Sequence, residues 1–384
     1  VFFFVNVCSY LNQFVLLFCC WIMKPFLFLA ALFVATVVGD YGNDPTSLPM
    51  PQFKIDLDKE PENRWKDVAR AYYVQLHGTW ELMQHVIPEE IRHQLGTFLD
   101  DAGEEIGKKL GDYSLEIKGI SDVTGIPHGD LIVMNVIYEL TAKCTSIVAQ
   151  HEDGSIYHGR NLDFGGGGGF TNLLRSVAME IHFIQNGTLV SVGTTYAGYV
   201  GMLTIQRPGY FTYSIDEVVE GPVYAELLNV MEGLLDPNVG MMGFLIRDLA
   251  LNSTFNEAVD VMSNHDIVAP AYFIMGGTTP GQGVVITRDR NKDLDQWWLD
   301  ADNGAWWRLE TNYNHWEEPP PNDDRRDPAN QCMENMGQAN LSLETLYGCL
   351  SEQPVLNDLT TYTAVMHAVE GIYDAKIREC CSGN

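Results

Sequence analysis

Two periodicities of apolar residues divide the chain. Trp65, Val68, Ala69, Tyr72, Tyr73, Leu76, Trp80, Met83 and Ile87 recur every three or four positions, which predicts one amphipathic helix over 63–87. Ile91, Leu95, Phe98, Leu99, Ala102, Ile106 and Leu110 repeat the pattern and predict a second helix over 89–110. Gln52–Leu57 and Ser114–Ile120 read as strands, Gly125–His128 as a turn and Gly129–Ala142 as a helix. Past Cys144 the period shortens. Thr145–Gln150, a turn at Glu152–Ser155 and a return from Ser155 predict a β-hairpin with Cys144 at its head. Val177–Phe183, Leu189–Thr195, Tyr199–Thr204, Tyr272–Gly276, Gly283–Arg288 and Trp306–Thr311 read as further strands. Helices are expected at 220–235, 239–252, 254–263, with Thr254 and Glu257 spaced as a capping box, and 342–350. The five glycines of 165–169 read as a loop that opens no helix and cradles no phosphate, and 317–328 as a Pro/Asp loop. These helix–strand–strand–helix blocks point to a layered α/β or α+β architecture.

Composition narrows the class. The 384 residues are 46% hydrophobic and 19% charged, ample for a sizeable core. A net charge of −28 without a Lys/Arg cluster disfavours nucleic-acid binding and is compatible with an acidic compartment. Residues 1–22 are apolar, and Met23-Lys24-Pro25 opens a second apolar run that closes at Gly39. This reads as a leader and signal peptide over 1–39 with a cut before Asp40, in which 1–22 is a gene-model extension or, alternatively, a membrane anchor. Asn186, Asn252 and Asn340 stand in glycan acceptor sequences. Besides the leader cysteines there are Cys144, Cys332, Cys349, Cys380 and Cys381. Four beside Cys144 allow three pairings in an oxidising compartment, of which adjacent Cys380–Cys381 is disfavoured. No histidine shows metal-ligand spacing, so neither a metal nor another cofactor is expected.

Candidate chemistry gathers around Cys144. The hairpin would bring its thiol beside Arg160 and Asp163, a nucleophilic arrangement. A buried strand cysteine and an ordinary ion pair would leave the same trace. Cys144-Thr-Ser-Ile-Val-Ala149 and His158-Gly-Arg-Asn-Leu-Asp163 closely resemble the lysosomal acid ceramidase and N-acylethanolamine acid amidase family of N-terminal-nucleophile hydrolases. Ile147–Gln150, Asn303–Trp306 and Gly337–Ser342 lean to the acid amidase, while Ala269–Ile274 and Gly198–Thr204 lean as much to the ceramidase.

The resemblance implies a four-layer αββα sandwich of two antiparallel sheets with a helical α-subunit (40–143) packed on a catalytic β-subunit (144–384). It implies self-cleavage between Lys143 and Cys144, giving a heterodimer from one chain. No cysteine lies between Asp40 and Lys143, so the two pieces should part in denaturant without reductant. By the same likeness, Cys144 is the nucleophile and its freed amine the base, acting either with a lowered pKa or as an ammonium paired to the thiolate. Asp163 orients that amine, Arg160 favours the thiolate, Asn312 donates to the oxyanion, and Arg325 and Glu217 are further site residues. Val218 stands where the family carries arginine. The substrate is a lipid amide in the lysosome. Helix stripes bearing Trp65, Tyr72, Tyr73 and Trp80 would serve either as core or in transient contact with a membrane surface. A silent lipid-binding protein keeping the same fold is the rival reading.

Overall fold

The computed structural model describes residues 44–138, 142–164, 168–218 and 238–380, with single positions between 227 and 236. The leader, most of the helix expected at 220–235 and Cys381 lie outside the described residues.

The strands are β1 (Ser47–Pro49), β2 (Gln52–Asp56), β3 (Ala142–Gln150), β4 (Ile156–Phe164), β5 (Ala178–Gln185), β6 (Thr188–Tyr196), β7 (Thr204–Arg207) and β8 (Phe211–Glu217). They continue as β9 (Val239–Gly240), β10 (Asp266–Ile267), β11 (Ala271–Gly276), β12 (Gly283–Asp289), β13 (Lys292–Trp298), β14 (Trp307–Glu310), β15 (Thr360–His367) and β16 (Ile372–Arg378). One sheet runs β1-β16-β15-β4-β3-β14, the other β13-β12-β11-β8-β7-β6-β5-β2, and β9 pairs with β10 in a two-stranded sheet among the described residues. Helices 326–336 and 343–350 cover the outer face of the six-stranded sheet, where Ile147 and Ala149 meet Met333, Leu346 and Leu350. A disulfide between Cys332 and Cys349 ties these two helices. Helices 242–252 and 255–264 pack on the eight-stranded sheet. The result is the expected α+β sandwich of helix, sheet, sheet and helix layers.

The space between the sheets has two characters. Val148 and Ile156 meet Tyr272, Ile274 and Val285 in an apolar patch. Ser146, His158 and Arg160 meet Ser214 and Asp216 in a polar one. A strand's alternation fixes this sorting. Cys144, Ser146 and Val148 point inward from β3, and His158 and Arg160 from β4. Gly159 turns to the outer helices, where an added Cβ would sit 2.8 Å from Leu350 Cδ1.

The 44–138 part is helical, yet it places β1 on the edge of one sheet and β2 on the edge of the other. The β2–β5 pairing is parallel, so the eight-stranded sheet is not wholly antiparallel. The predicted single helix over 63–87 is three: Pro61–Arg64, Lys66–Ala71 and Tyr73–Val86. The bends fall at Trp65 and Tyr72, whose rings turn into the core. This corrects the membrane-facing reading of those two side chains, whereas Tyr73 and Val74 are exposed.

Ser114–Ile120 is not a strand but the middle of helix Asp112–Thr124. Its apparent alternation places Glu116 among outward polar positions, whereas the residue is buried. Glu116 in fact receives two hydrogen bonds from Arg247 (2.6 and 2.9 Å) and one from Trp65 Nε1 (2.7 Å). Tyr199–Leu203 is a loop before β7, held by buried Asn135, which donates to Gly198 O and accepts from Val200 N–H. The glycine run does open a helix, Gly168–Val177. The capping boxes at Thr254/Glu257 and Ser342/Thr345 are both formed.

Candidate active site

Cys144 lies near the start of β3, fully buried, directly across from Leu162. Arg160 pairs in register with Ser146, two residues along on the same face, so its guanidinium reaches diagonally back to the sulfur. Arg160 Nη2 contacts Cys144 Sγ and donates to Ile215 O (3.1 Å), while Nη1 donates to Leu203 O and Thr204 Oγ1 (3.0 and 2.8 Å). The Tyr362 ring lies beneath the guanidinium at 5.7 Å. Burial pushes the Cys144 thiol well above its ordinary value, and the Arg160 charge pulls it back down.

The backbone of Cys144 is held as firmly as its sulfur. Its N–H donates to Asn312 Oδ1 (2.9 Å), which also accepts from Arg325 Nη2 (2.8 Å). Two donors at one oxygen fix the amide's orientation, and Asn312 Nδ2 then donates to Glu217 O (2.8 Å). Arg325 Nη1 donates to Cys144 O (2.6 Å) and to Asp163 Oδ2 (3.2 Å). Asp323 grips the other side of Arg325 through both carboxylate oxygens (2.7 and 2.6 Å). Asp163 pairs in register with Lys143 and accepts from Thr360 Oγ1 (2.6 Å) and Asn357 Nδ2 (2.9 Å). Burial raises its pKa, against the Arg325 charge.

The structure therefore brings Cys144, Arg160, Asn312 and Arg325 into direct contact and joins Asp163 to them through Arg325. Arg160 and Asp163 occupy opposite faces of β4, so the hairpin alone does not unite them. Asn312 offers its oxygen to the Cys144 nitrogen, the position expected of Asp163. Of the Asn312 amide expected at the oxyanion, one N–H donates to Glu217 O. Glu217 thus meets the site through its carbonyl, and Val218 packs in the apolar patch between the sheets. Lys143 is half-buried, its charge close enough to lower the pKa of Asp323. Asn186, Asn252 and Asn340 are all exposed.

Sequence reasoning missed Asp216. On β8, Phe211, Tyr213 and Ile215 face the main core, which aims Thr212, Ser214 and Asp216 at the other sheet. Asp216 Oδ1 accepts from Ser146 Oγ (2.7 Å) and lies 3.7 Å from Arg160 Nη2. That alternation is legible in 211–217, but the strand is not among those expected from the sequence, and the family likeness points to Glu217.

Comparison with known proteins adds the following. Residues 144–339 match the family model of linear amide C–N hydrolases, choloylglycine hydrolase family. Residues 49–110 match that of the beta subunit of N-acylethanolamine-hydrolyzing acid amidase. The beta label thus falls on the N-terminal segment, expected as the α-subunit, and the amide-hydrolase match on the C-terminal segment. The rat N-acylethanolamine-hydrolyzing acid amidase is 40% identical over 329 residues, 83% of this chain and 86% of that protein. Human acid ceramidase is 37% identical over 350 residues, 86% and 87% of the two chains. The solved structure of a Caenorhabditis elegans ortholog of the acid amidase superposes with a TM-score of 0.53 at 37% identity, covering 60% of this chain and 94% of its own.

Proposed function

Because the chain belongs to the linear amide C–N hydrolases of the choloylglycine hydrolase family, among relatives that are acid amidases and acid ceramidases, we propose that it is a self-cleaving lysosomal lipid amidase. It is an amidohydrolase, and its proposed substrates are N-acylethanolamines, with ceramide the alternative. One observation carries the reading: Cys144 has its nitrogen on Asn312 and its sulfur on Arg160, so the two atoms a processed N-terminal nucleophile needs are already positioned.

In the activating step, Cys144 Sγ attacks the Lys143 carbonyl carbon. The C–N bond breaks, the Cys144 nitrogen takes the thiol proton and becomes an amine, and water hydrolyses the resulting thioester. In turnover the amine accepts the thiol proton and the sulfur attacks the substrate amide carbonyl. The leaving amine takes that proton, and a thioester of the fatty acid remains. The Cys144 amine then draws a proton from water, hydroxide adds to the thioester carbonyl, the C–S bond breaks to release the fatty acid, and the ammonium returns its proton to the sulfur. Arg160 stabilises the thiolate, while Asn312 and Arg325 keep the Cys144 backbone in place. Transient membrane contact would fall to the exposed Tyr73 and Val74 of the N-terminal segment.

Intact mass during acidic incubation, with N-terminal sequencing, tests the reading. A fragment beginning Cys-Thr-Ser-Ile is expected, together with release of fatty acid from N-palmitoylethanolamine or, failing that, from ceramide. Cys144→Ala should stay single-chain and inactive. Turnover by Cys144→Ala at the wild-type rate would end the mechanism.

A further inference from the structure

Three polar features outside the expected machinery stand out: the Glu116–Arg247 pair, the aromatic stack of Trp297, His315 and Trp316, and the buried carboxyl of Asp216. The first is structural, and nothing shows what would cover the second. Asp216 carries an inference.

We propose that Asp216 is a positioning residue that shares the Arg160 guanidinium with the Cys144 sulfur, so that the nucleophile works while Asp216 is neutral and is suppressed when Asp216 ionises. The inference rests on Cys144 being the nucleophile, as argued above.

The geometry supports it in three ways. First, one nitrogen, Arg160 Nη2, serves both partners, touching the sulfur and lying 3.7 Å from Asp216 Oδ1. A second negative charge there would compete for the cation that stabilises the thiolate. Second, Asp216 ends a chain of hydroxyls. Ser214 Oγ donates to Ser146 Oγ (2.9 Å), which donates to Asp216 Oδ1, and His158 Nε2 lies 2.9 Å behind Ser214. This fixes Oδ1, whereas Oδ2 is buried with no hydrogen-bond partner among the described residues. A protonated carboxyl suits such a place better than a carboxylate, whose full charge needs donors. Third, the surroundings are mostly of the wrong sign. From β3 Asp216 faces Cys144, from β4 Arg160 and neutral His158, and from β14 buried Glu310. The charges of Asp163 and Glu217 also bear on the shared thiol, the Tyr362 phenol bears on the guanidinium, and Arg325 is the second cation whose charge reaches Asp216.

Burial pushes the Asp216 carboxyl up to about 7, against the pull of Arg160 and of its hydrogen bond from Ser146. Below that value Arg160 is free for the sulfur, and above it the two anions compete. Acid-side activity then follows from a residue beside the nucleophile rather than from overall charge.

The test is the pH profile of amide hydrolysis by processed wild type, Asp216→Asn and Ser146→Ala. Asp216→Asn removes the titration. Ser146→Ala removes the hydrogen bond that favours the carboxylate, and so should raise the pKa further. Each variant is compared with its own maximum. The ratio of activity at pH ~8 to that at pH ~5 should rise about tenfold in Asp216→Asn, which abolishes the titration, and by a smaller factor of about fivefold in Ser146→Ala, which only shifts it. A neutral limb unmoved in both folded variants, beside an active wild type, overturns the inference alone. A wild type inactive at every pH overturns the amidase reading beneath it. Should Asp216→Asn fail to fold, Ser146→Ala decides.

Discussion

Arg325 is the residue on which the site's backbone geometry converges. Its five donors reach Cys144 O, Asp163, Asn312 and both oxygens of Asp323. A lysine supplies one point of charge and cannot span these acceptors. Arg325→Lys should therefore keep the fold yet slow cleavage before Cys144 by about a hundredfold, since a shift near 1 Å is enough for such a loss. Quantifying uncut chain by mass against time checks this, and cleavage at the wild-type rate would refute it. Most of these residues were legible, because motif likeness spans Cys144, Arg160, Asp163, Asn312 and Arg325. The likeness could not say which atoms meet. Asn312 sits on the Cys144 nitrogen because a loop after β14 carries it there, a fact of tertiary folding with no local sequence trace. Asp216 was hidden for the opposite reason. Its evidence was local, a polar face of Thr212, Ser214 and Asp216, but weak beside a named motif.

Among the elements, helix Asp112–Thr124 joins the two segments. Gly119 lets it approach the Pro61–Arg64 turn so closely that a Cβ would stand 2.1 Å from Glu62 O. Glu116 reaches from it to Arg247 on helix 242–252, with Arg64 also on Glu116 Oε1 (3.0 Å) and Arg247 above the Phe183 ring at 4.6 Å. Removing one partner of such a pair strands a buried charge. Glu116→Gln should lower unfolding stability by about 3–5 kcal/mol, read from denaturant midpoints on the uncut Cys144→Ala background. A shift below about 1 kcal/mol would show that Arg247 is satisfied without Glu116. This helix was misread as a strand for the same reason that it matters. Period-based reading assumes that charges face water, and Glu116 does not. Where that assumption held, as in the 89–110 helix and the β3–β4 hairpin, the elements emerged close to their observed bounds. Bends at Trp65 and Tyr72 escaped because apolar spacing continues through them.

For the whole molecule, pH governs stability through buried carboxyls. Burial raises Asp163, Asp216, Asp248, Glu310 and Asp374 above their ordinary values. A carboxyl raised in the fold favours the neutral form there, so its stabilisation is complete below the unfolded value and is lost as pH rises through the folded one. For Asp216 that window runs from 3.8 to about 7. Asp44 and Asp323, though partly buried, are held below their ordinary values by hydrogen bonds, and act oppositely under stronger acid. Melting temperature of the uncut Cys144→Ala chain should peak between about pH 4 and 6 and fall toward pH ~8. A melting temperature still climbing at pH ~8 would contradict this account. The layered architecture was readable in outline from alternating blocks and more sharply from the family likeness. The placement of β1 and β2 was not, because edge pairing is long-range. Those two strands have a consequence for lifetime. With the proposed cut before Cys144, each segment would protect the other from self-association, since β1 and β2 shield sheet borders that belong mainly to the C-terminal segment. Parting of the segments would bare both borders at once and lead to aggregates sooner than to reunion. The working life of the mature protein would then be set by how slowly its halves come apart, a kinetic clock started by the cut itself.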